Sequence, residues 1–411
     1  MERIHRKVIA GSIILLIAFN IFNALNLIFH LFMARFLSIA EYGMLATLFS
    51  FVYILAVFTE SIELVLAKYT AAEKDIGKLK NIAKRSLTRA LKISSIMFGI
   101  YALLSIPLSK FVKIPYPLMI LNGLMIFLAF LIPIGRGIMQ GKTRFKALGI
   151  NMVIESSVKL IIALVFVYAG MRVYGAILGN IGGVLASFLL SFVSLKDIFK
   201  AKEREARLDN IHGYTKPTFA VILALLAFYS IDIIIAKIVF PEDVAGSYAI
   251  ASIISKTIFW GTQPISRAMF PLAAEDSKEE KKSGKVFFNA LILLTLAITI
   301  ALVIFFFFSN TLVYIFSGKT VPLAASILFY LGIATSFLSF ANLILLYKLS
   351  QGNTQGYWYL FFFVLIEISA LFFFSDNLRQ FSLAFVSASA LFLWASLMLM
   401  NPREVPSTSS T

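Results

Sequence analysis

Two stretches of the sequence, Val8–Met33 and Val286–Phe308, run for 26 and 23 residues without a lysine, arginine or acidic residue. Each exceeds the roughly 20 residues that carry a helix across ~30 Å of hydrocarbon at about 1.5 Å per residue. A bilayer admits helices or closed barrels, because nothing else pairs every backbone polar group. Barrel strands alternate apolar and polar residues over about ten positions, and these runs do not. The chain therefore reads as an all-α integral membrane protein. Composition agrees: 14% of residues are charged, against about 25% in a soluble domain.

The first run follows Arg3, Arg6 and Lys7, as a secretory signal would. It is too long for a signal core, and no small-residue cleavage site follows its end at Arg35. It reads as a permanent span. Apolar runs between polar breaks give about 12 transmembrane helices: 8–34, 44–67, 93–111, 117–138, 148–169, 173–195, 217–240, 245–270, 286–308, 322–347, 356–375 and 380–400. With the N-terminus in the cytoplasm, 28 Lys and Arg fall on the cytoplasmic side, Arg403 near the C-terminus included, and seven on the other. That asymmetry follows the positive-inside rule. It predicts a multi-pass protein of the cell membrane with both termini cytoplasmic. It also accounts for the net charge of +16 without nucleic acid, since cytoplasmic loops face anionic headgroups.

The longest internal loop, Lys196–Lys216, separates two sets of six spans. The expected division is a lobe over 1–195, a cytoplasmic linker over 196–216 and a second lobe over 217–411. The halves share a local pattern. Ala34-Arg35-Phe36-Leu37 leads through Glu41-Tyr42-Gly43 into the second span, and Ala236-Lys237-Ile238-Val239 leads through Pro241-Glu242-Asp243 to Gly246 in the eighth. Both halves begin inside, so the repeat is parallel, about an axis along the membrane normal. That is a transporter design with its site between two pseudo-symmetric six-helix lobes.

Three segments resemble the polysaccharide-biosynthesis flippases, the lipid-linked oligosaccharide exporters of the multidrug/oligosaccharidyl-lipid/polysaccharide exporter superfamily. They are Arg35-Phe36-Leu37-Ser38-Ile39-Ala40-Glu41-Tyr42-Gly43 after the first span, Arg136-Gly137-Ile138-Met139-Gln140-Gly141 through Ala147 in the loop between the fourth and fifth, and Ala169-Gly170-Met171-Arg172-Val173-Tyr174-Gly175-Ala176 before the sixth. The resemblance covers about residues 8–275. It implies a two-lobed bundle that alternates access and moves a polyprenyl-linked sugar across the membrane.

No cysteine is present, which excludes disulfides and thiolate chemistry. His5, His30 and His212 are too scattered for a metal site, and there is no phosphate-binding loop. Neither cofactor nor metal is expected. Acids in turns such as Glu41, Glu242, Asp243 and Asp376 read as turn formers, so an enzyme is set aside.

Polar residues inside spans are the candidate site, because a charge at the bilayer centre costs about 2.5–3.5 kcal/mol on insertion scales and needs a partner or water. Asn20, Asn23 and His30 share one face of the first helix, with Asn26 nearby. They line a polar cavity for substrate or serve as interhelical glue. Glu60 and Glu63 in the second span, with Glu155 and Lys159 at i,i+4 in the fifth, form a candidate site for a coupling ion, H+ or Na+, or a structural network. Lys256, Trp260, Gln263 and Arg267 recur on one face of the eighth span. Such a stripe suits a sugar and its phosphate. Alternatively Lys256 pairs with Asp232, itself a candidate ion-coupling residue, or with Glu367. Deep acids outnumber deep bases, which keeps open an ion-coupled drug or metabolite antiporter. The partners expected are membrane lipid, a lipid-linked sugar and a coupling ion.

Because the chain lacks cysteine, single cysteines at Lys80, Lys142, Arg204 and Lys281 give a clean test of orientation. All four are expected to react with an impermeant maleimide only after the cytoplasmic face is opened. Labelling of any two from outside in intact cells contradicts the orientation.

Overall fold

The computed structural model describes residues 2–206, 212–275, 280–351 and 356–398, and every regular element among them is helical. Arg207, Lys278 and Arg403, counted above on the cytoplasmic side, lie outside the described residues. In chain order the helices are α1 (Glu2–Phe36), α2 (Ile39–Ala72), α3 (Ile76–Phe111), α4 (Tyr116–Gly123), α5 (Met125–Gly141), α6 (Phe145–Phe166) and α7 (Arg172–Ser194). There follow α8 (Lys196–Lys200), α9 (His212–Val239), α10 (Glu242–Glu275), α11 (Glu280–Ser317), α12 (Pro322–Ser350), α13 (Tyr359–Phe373) and α14 (Leu378–Met398). With α4 and α5 as one rod and α8 too short to cross, these account for the twelve spans.

Nine spans among the described residues are long and apolar enough to cross on hydropathy alone, and Phe145–Ser194 counts there as one. It is two helices. Gly170 sits between them at φ +88°, a left-handed conformation that side chains rarely adopt, and reverses the chain. α6 and α7 then pack closely: a Cβ on Gly179 would lie 2.5 Å from that of Ala163. Small residues replace the hydrophobic effect as the reason for helices to associate in lipid.

Ends are fixed by side chains. Ser38 accepts from the Glu41 amide at 3.2 Å while the Glu41 carboxylate accepts from the Ser38 amide at 2.9 Å, closing a capping box at the start of α2. Asp75 caps α3, accepting from Gly77 at 2.7 Å. The Arg136–Gly141 segment, expected as a loop, is the last part of α5. Arg136 is only 8% exposed there; it stays inside because it finds a carboxylate, described below.

α1, α3, α5, α6 and α7 pack mainly on one another and on α2, and α9 to α14 form a second group; α2 meets α9 and α10 between them. The turn α1–α2 and the turn α9–α10 lie on one face of the protein, opposite the lysine-rich α2–α3 connection. There Gly43 meets Gly246, and a Cβ on Gly43 would lie 2.7 Å from the Gly246 Cα. These are matching positions of the sequence repeat, and matching positions meet each other only near a two-fold axis. The same face is stitched by Arg35, which donates to the Ile315 carbonyl at 2.5 Å, and by Lys319, which donates to the Ala34 and Leu37 carbonyls at 2.6 and 2.5 Å.

The connection between the groups is partly docked. Residues 201–206 lie along the start of α3: Lys80 donates to the Ala201 carbonyl at 2.9 Å, Asn81 to Glu203 at 2.7 Å, and Arg204 to Asp75 at 2.8 Å. The Arg204 guanidinium holds the Asp75 carboxyl below the usual carboxylate range.

Candidate substrate cleft and buried charge networks

Two buried networks and one exposed ion pair account for most of the intramembrane charge. In the first group Arg136 donates to Glu155 at 2.5 Å, to Asn151 at 2.9 Å and to the Ser187 hydroxyl at 3.1 Å, while Ser187 donates to Asn151 at 2.6 Å. α5, α6 and α7 are thereby tied together around one charge pair. The intrahelical Glu155–Lys159 pair expected from i,i+4 spacing does not form, because Arg136 takes the carboxylate. Lys159 reaches α1 instead: it donates to Asn26 at 3.0 Å, with its ammonium 4.2 Å from the Phe29 ring centre and 4.5 Å from that of Phe49. Two ring faces and an amide oxygen solvate this cation.

The three polar residues of α1 separate by depth. His30 is buried, its ring nitrogens 3.2 Å from the Tyr53 hydroxyl and 3.3 Å from that of Tyr42. Asn23 is half-buried. Asn20 is exposed and donates to its own helix at the Leu16 carbonyl, 2.8 Å away. α1 packs chiefly on α6, and Leu16 and Ile17, in its N-terminal half, are both more than half exposed.

In the second group Asp232 is fully buried and holds Lys256 at 2.8 Å, with Ser252 and Tyr248 donating to its other oxygen at 2.8 and 3.1 Å. The Lys256 ammonium also lies 4.6 Å from the Tyr229 ring centre. Glu367 on α13 is buried too, and neither of its carboxyl oxygens has a hydrogen-bond partner among the described residues. The stripe on α10 is thus divided. Lys256 is 2% exposed and engaged by Asp232, Trp260 donates to the Tyr229 hydroxyl at 2.7 Å, and Gln263 is 7% exposed.

Trp260 also reaches across, its ring 6.4 Å from that of Tyr53 on α2, and Arg267 carries the exposed charge between the groups. Its guanidinium lies 3.7 Å from the Glu60 carboxylate, 4.5 Å from the Phe19 ring centre, and 3.4 Å from the Gln263 oxygen that accepts its Nε–H. The Arg267 and Glu60 side chains are 48% and 42% exposed. Glu63 stands about one turn along, within electrostatic reach of Arg136 and Arg267. α1, α2 and α10 thus meet around this half-exposed pair, a candidate polar cleft, in the half of the protein away from the Gly43–Gly246 contact. An exposed ion pair is worth only about 0–1 kcal/mol, and a guanidinium fork is a geometry that suits a phosphate as well as a carboxylate.

Arg136, Asn26, Tyr53 and Tyr229 complete these networks, and Glu367 is buried on α13 without a hydrogen bond among the described residues. Sequence reasoning placed Arg136 at a loop and gave Asn26 no partner; tyrosines in an apolar helix carry no signal of what they bond.

A family model described as polysaccharide biosynthesis protein matches residues 32–321. The chain belongs to that family. An uncharacterized membrane protein of Methanocaldococcus jannaschii is 25% identical over 266 residues, 59% of this chain, and the chain spans 62% of the length of that relative. Among solved structures, the inward-facing form of a multidrug resistance MATE family transporter of the MOP superfamily aligns with a TM-score of 0.78 at 15% identity, covering 91% of this chain and 92% of that one. An outward-facing form of such a transporter gives 0.66 at 14% identity, over 94% of each chain. The lipid II flippase MurJ, in an inward closed conformation, gives 0.69 at 16% identity, over 95% and 87%. At these identities the family member shares their all-helical transporter fold.

Removing one partner of a buried pair leaves an uncompensated charge and costs about 3–5 kcal/mol. Arg136→Ala is expected to lower the thermal midpoint of the purified protein well below that of Glu155→Gln/Arg136→Met, which removes both charges. Equal midpoints would show that the pair contributes little.

Proposed function

We propose that this membrane transporter is a flippase that moves a polyprenyl-linked oligosaccharide or polysaccharide precursor across the membrane by alternating access. The observation that carries the reading is the fate of the deep acids. Glu155 and Asp232, which weighed toward an organic-cation cavity, are neutralised inside their own helix groups by Arg136 and Lys256. Arg267 is left as the half-exposed cation of the cleft. Gln263, which accepts from Arg267, together with Trp260 and Asn20 offers amide and aromatic contacts for the first sugars, while Arg267 takes the pyrophosphate.

In this reading the lobes are residues 1–195 and 217–411, with 196–216 as linker, and the lysine-rich face is cytoplasmic. The cleft loads from that face, the Gly43–Gly246 contact opens for release, and the protein works as a transporter rather than as an enzyme. Coupling to H+ or Na+ falls to Glu60, Glu63 and the Asp232–Lys256–Glu367 cluster. One cation there faces two carboxyls, so a proton or ion on the second balances the charge. A second reading, an ion-coupled multidrug or metabolite antiporter, is supported by Glu63 at the cleft.

Vesicles reconstituted with the protein and a fluorescent lipid-linked oligosaccharide, with quencher on one side, separate the two. Transport is expected from the wild type, at least tenfold less from Arg267→Ala, and partial recovery in Arg267→Lys, since an ammonium lacks the bidentate fork. Ion-driven uptake of organic cations without movement of the lipid-linked sugar would favour the antiporter instead.

A further inference from the structure

The start of α3 carries a second, exposed cluster of cations that takes no part in the cleft. Arg85, Arg89 and Lys92 lie at i, i+4 and i+7, so they share one helix face. They surround, with Lys84, an open pocket of ≈ 520 Å³ whose other wall is Glu203 of the docked interlobe segment. Part of this charge is already answered. Lys84 lies 3.0 Å from Glu203, and Arg85 lies 3.0 Å from the exposed Glu205. Arg89 and Lys92 form no ion pair among the described residues, and both are exposed. The pocket lining holds four cations and one carboxylate, a surplus of three positive charges.

What lies along the same helix face decides what this surplus is for. Continuing from Lys92 by steps of four, four and three come Ile96, Ile100 and Leu103, which are 65%, 54% and 70% exposed. The basic patch therefore runs without a break into an uncovered apolar track. From Lys92 to Leu103 is eleven residues, about 16 Å of helix at about 1.5 Å per residue, close to half of a ~30 Å hydrocarbon core. A soluble anion would have no use for the track, and a plain acyl chain none for the cations. One molecule fits both: an anionic lipid in a single leaflet.

We propose that the groove formed by α3 and the docked interlobe segment is a binding site for an anionic lipid, with the headgroup phosphate on Arg89 and Lys92 and one chain along Ile96, Ile100 and Leu103. The arginine fork takes phosphate oxygens in pairs, and the lysine adds a point charge at the level where the apolar track begins. The bond network between residues 201–206 and α3 stands directly beneath the headgroup, so the lipid adjoins the connection between the two helix groups. The site is separate from the cleft and does not depend on what the cleft transports. The required chemistry, a phosphate on a long apolar chain, is met by an anionic phospholipid and by a polyprenyl phosphate.

Native mass spectrometry of the detergent-purified full chain tests this, with phosphatidylglycerol, phosphatidylcholine, a polyprenyl phosphate and inorganic phosphate added singly and in competition. Phosphatidylglycerol is expected to be retained at least fivefold over phosphatidylcholine. Arg89→Gln/Lys92→Gln should erase that preference, whereas Lys113→Gln on the opposite face should keep it. Displacement by polyprenyl phosphate but not by phosphatidylglycerol would identify the carrier lipid as the source, and the reverse the bulk phospholipid; either supports the site. Retention of both phosphatidylglycerol and polyprenyl phosphate no greater than that of phosphatidylcholine overturns the proposal. So does displacement by inorganic phosphate at the same concentration, or an unchanged preference in a double variant that keeps the wild-type thermal midpoint.

Discussion

Where Gly43 meets Gly246, two helix backbones come so close that a methyl group on Gly246 would strike the backbone of Ile39. Lipid gives two apolar helices no hydrophobic reason to associate, so close packing of small residues and backbone polar contacts must hold them. Here both act together. The glycines bring α2 and α10 together, and Arg35 and Lys319 add bonds to backbone carbonyls across the same rim. The interface is tight at this end, and the half-exposed Arg267–Glu60 pair lies toward the other.

Charge placement obeys the same solvent. A buried ion is tolerated only with a partner, and each helix group supplies its own: Arg136 with Glu155 in the first, Lys256 with Asp232 in the second. Because each pair lies within one group, the groups can move against each other without breaking it. Arg267 with Glu60, a pair that crosses between them, is half-exposed. Strong interactions rigidify each half and a weak one joins them, an arrangement that suits a rocking transporter.

Much of the fold was legible because a bilayer restricts it so severely. Charge-free runs gave the helices. The repeat at Gly43 and Gly246 gave two positions that turned out to touch. The site was less legible. Helical spacing put Lys256 and Arg267 on one face, but spacing says nothing of depth, and Lys256 is claimed by Asp232 while Arg267 is not. The i,i+4 rule joined Glu155 to Lys159 and missed Arg136, which competes from another helix with a stronger, forked donor. His30, expected on a polar face with Asn20 and Asn23, is held between two tyrosines. Side-chain partners on other helices cannot be read from periodicity along one.

Alternating access requires that the glycine contact and the cleft close in turn. Spin labels on cysteines at Phe36 and Glu242 report the closed face, and labels at Ala72 and Leu272 the open one. Pulsed electron resonance distances in nanodiscs, with and without lipid-linked oligosaccharide, then follow both. The account predicts that the first distance lengthens as the second shortens, and that Gly246→Val lengthens the first even without substrate. Two distances that rise and fall together, or a first distance indifferent to both substrate and Gly246→Val, would contradict it.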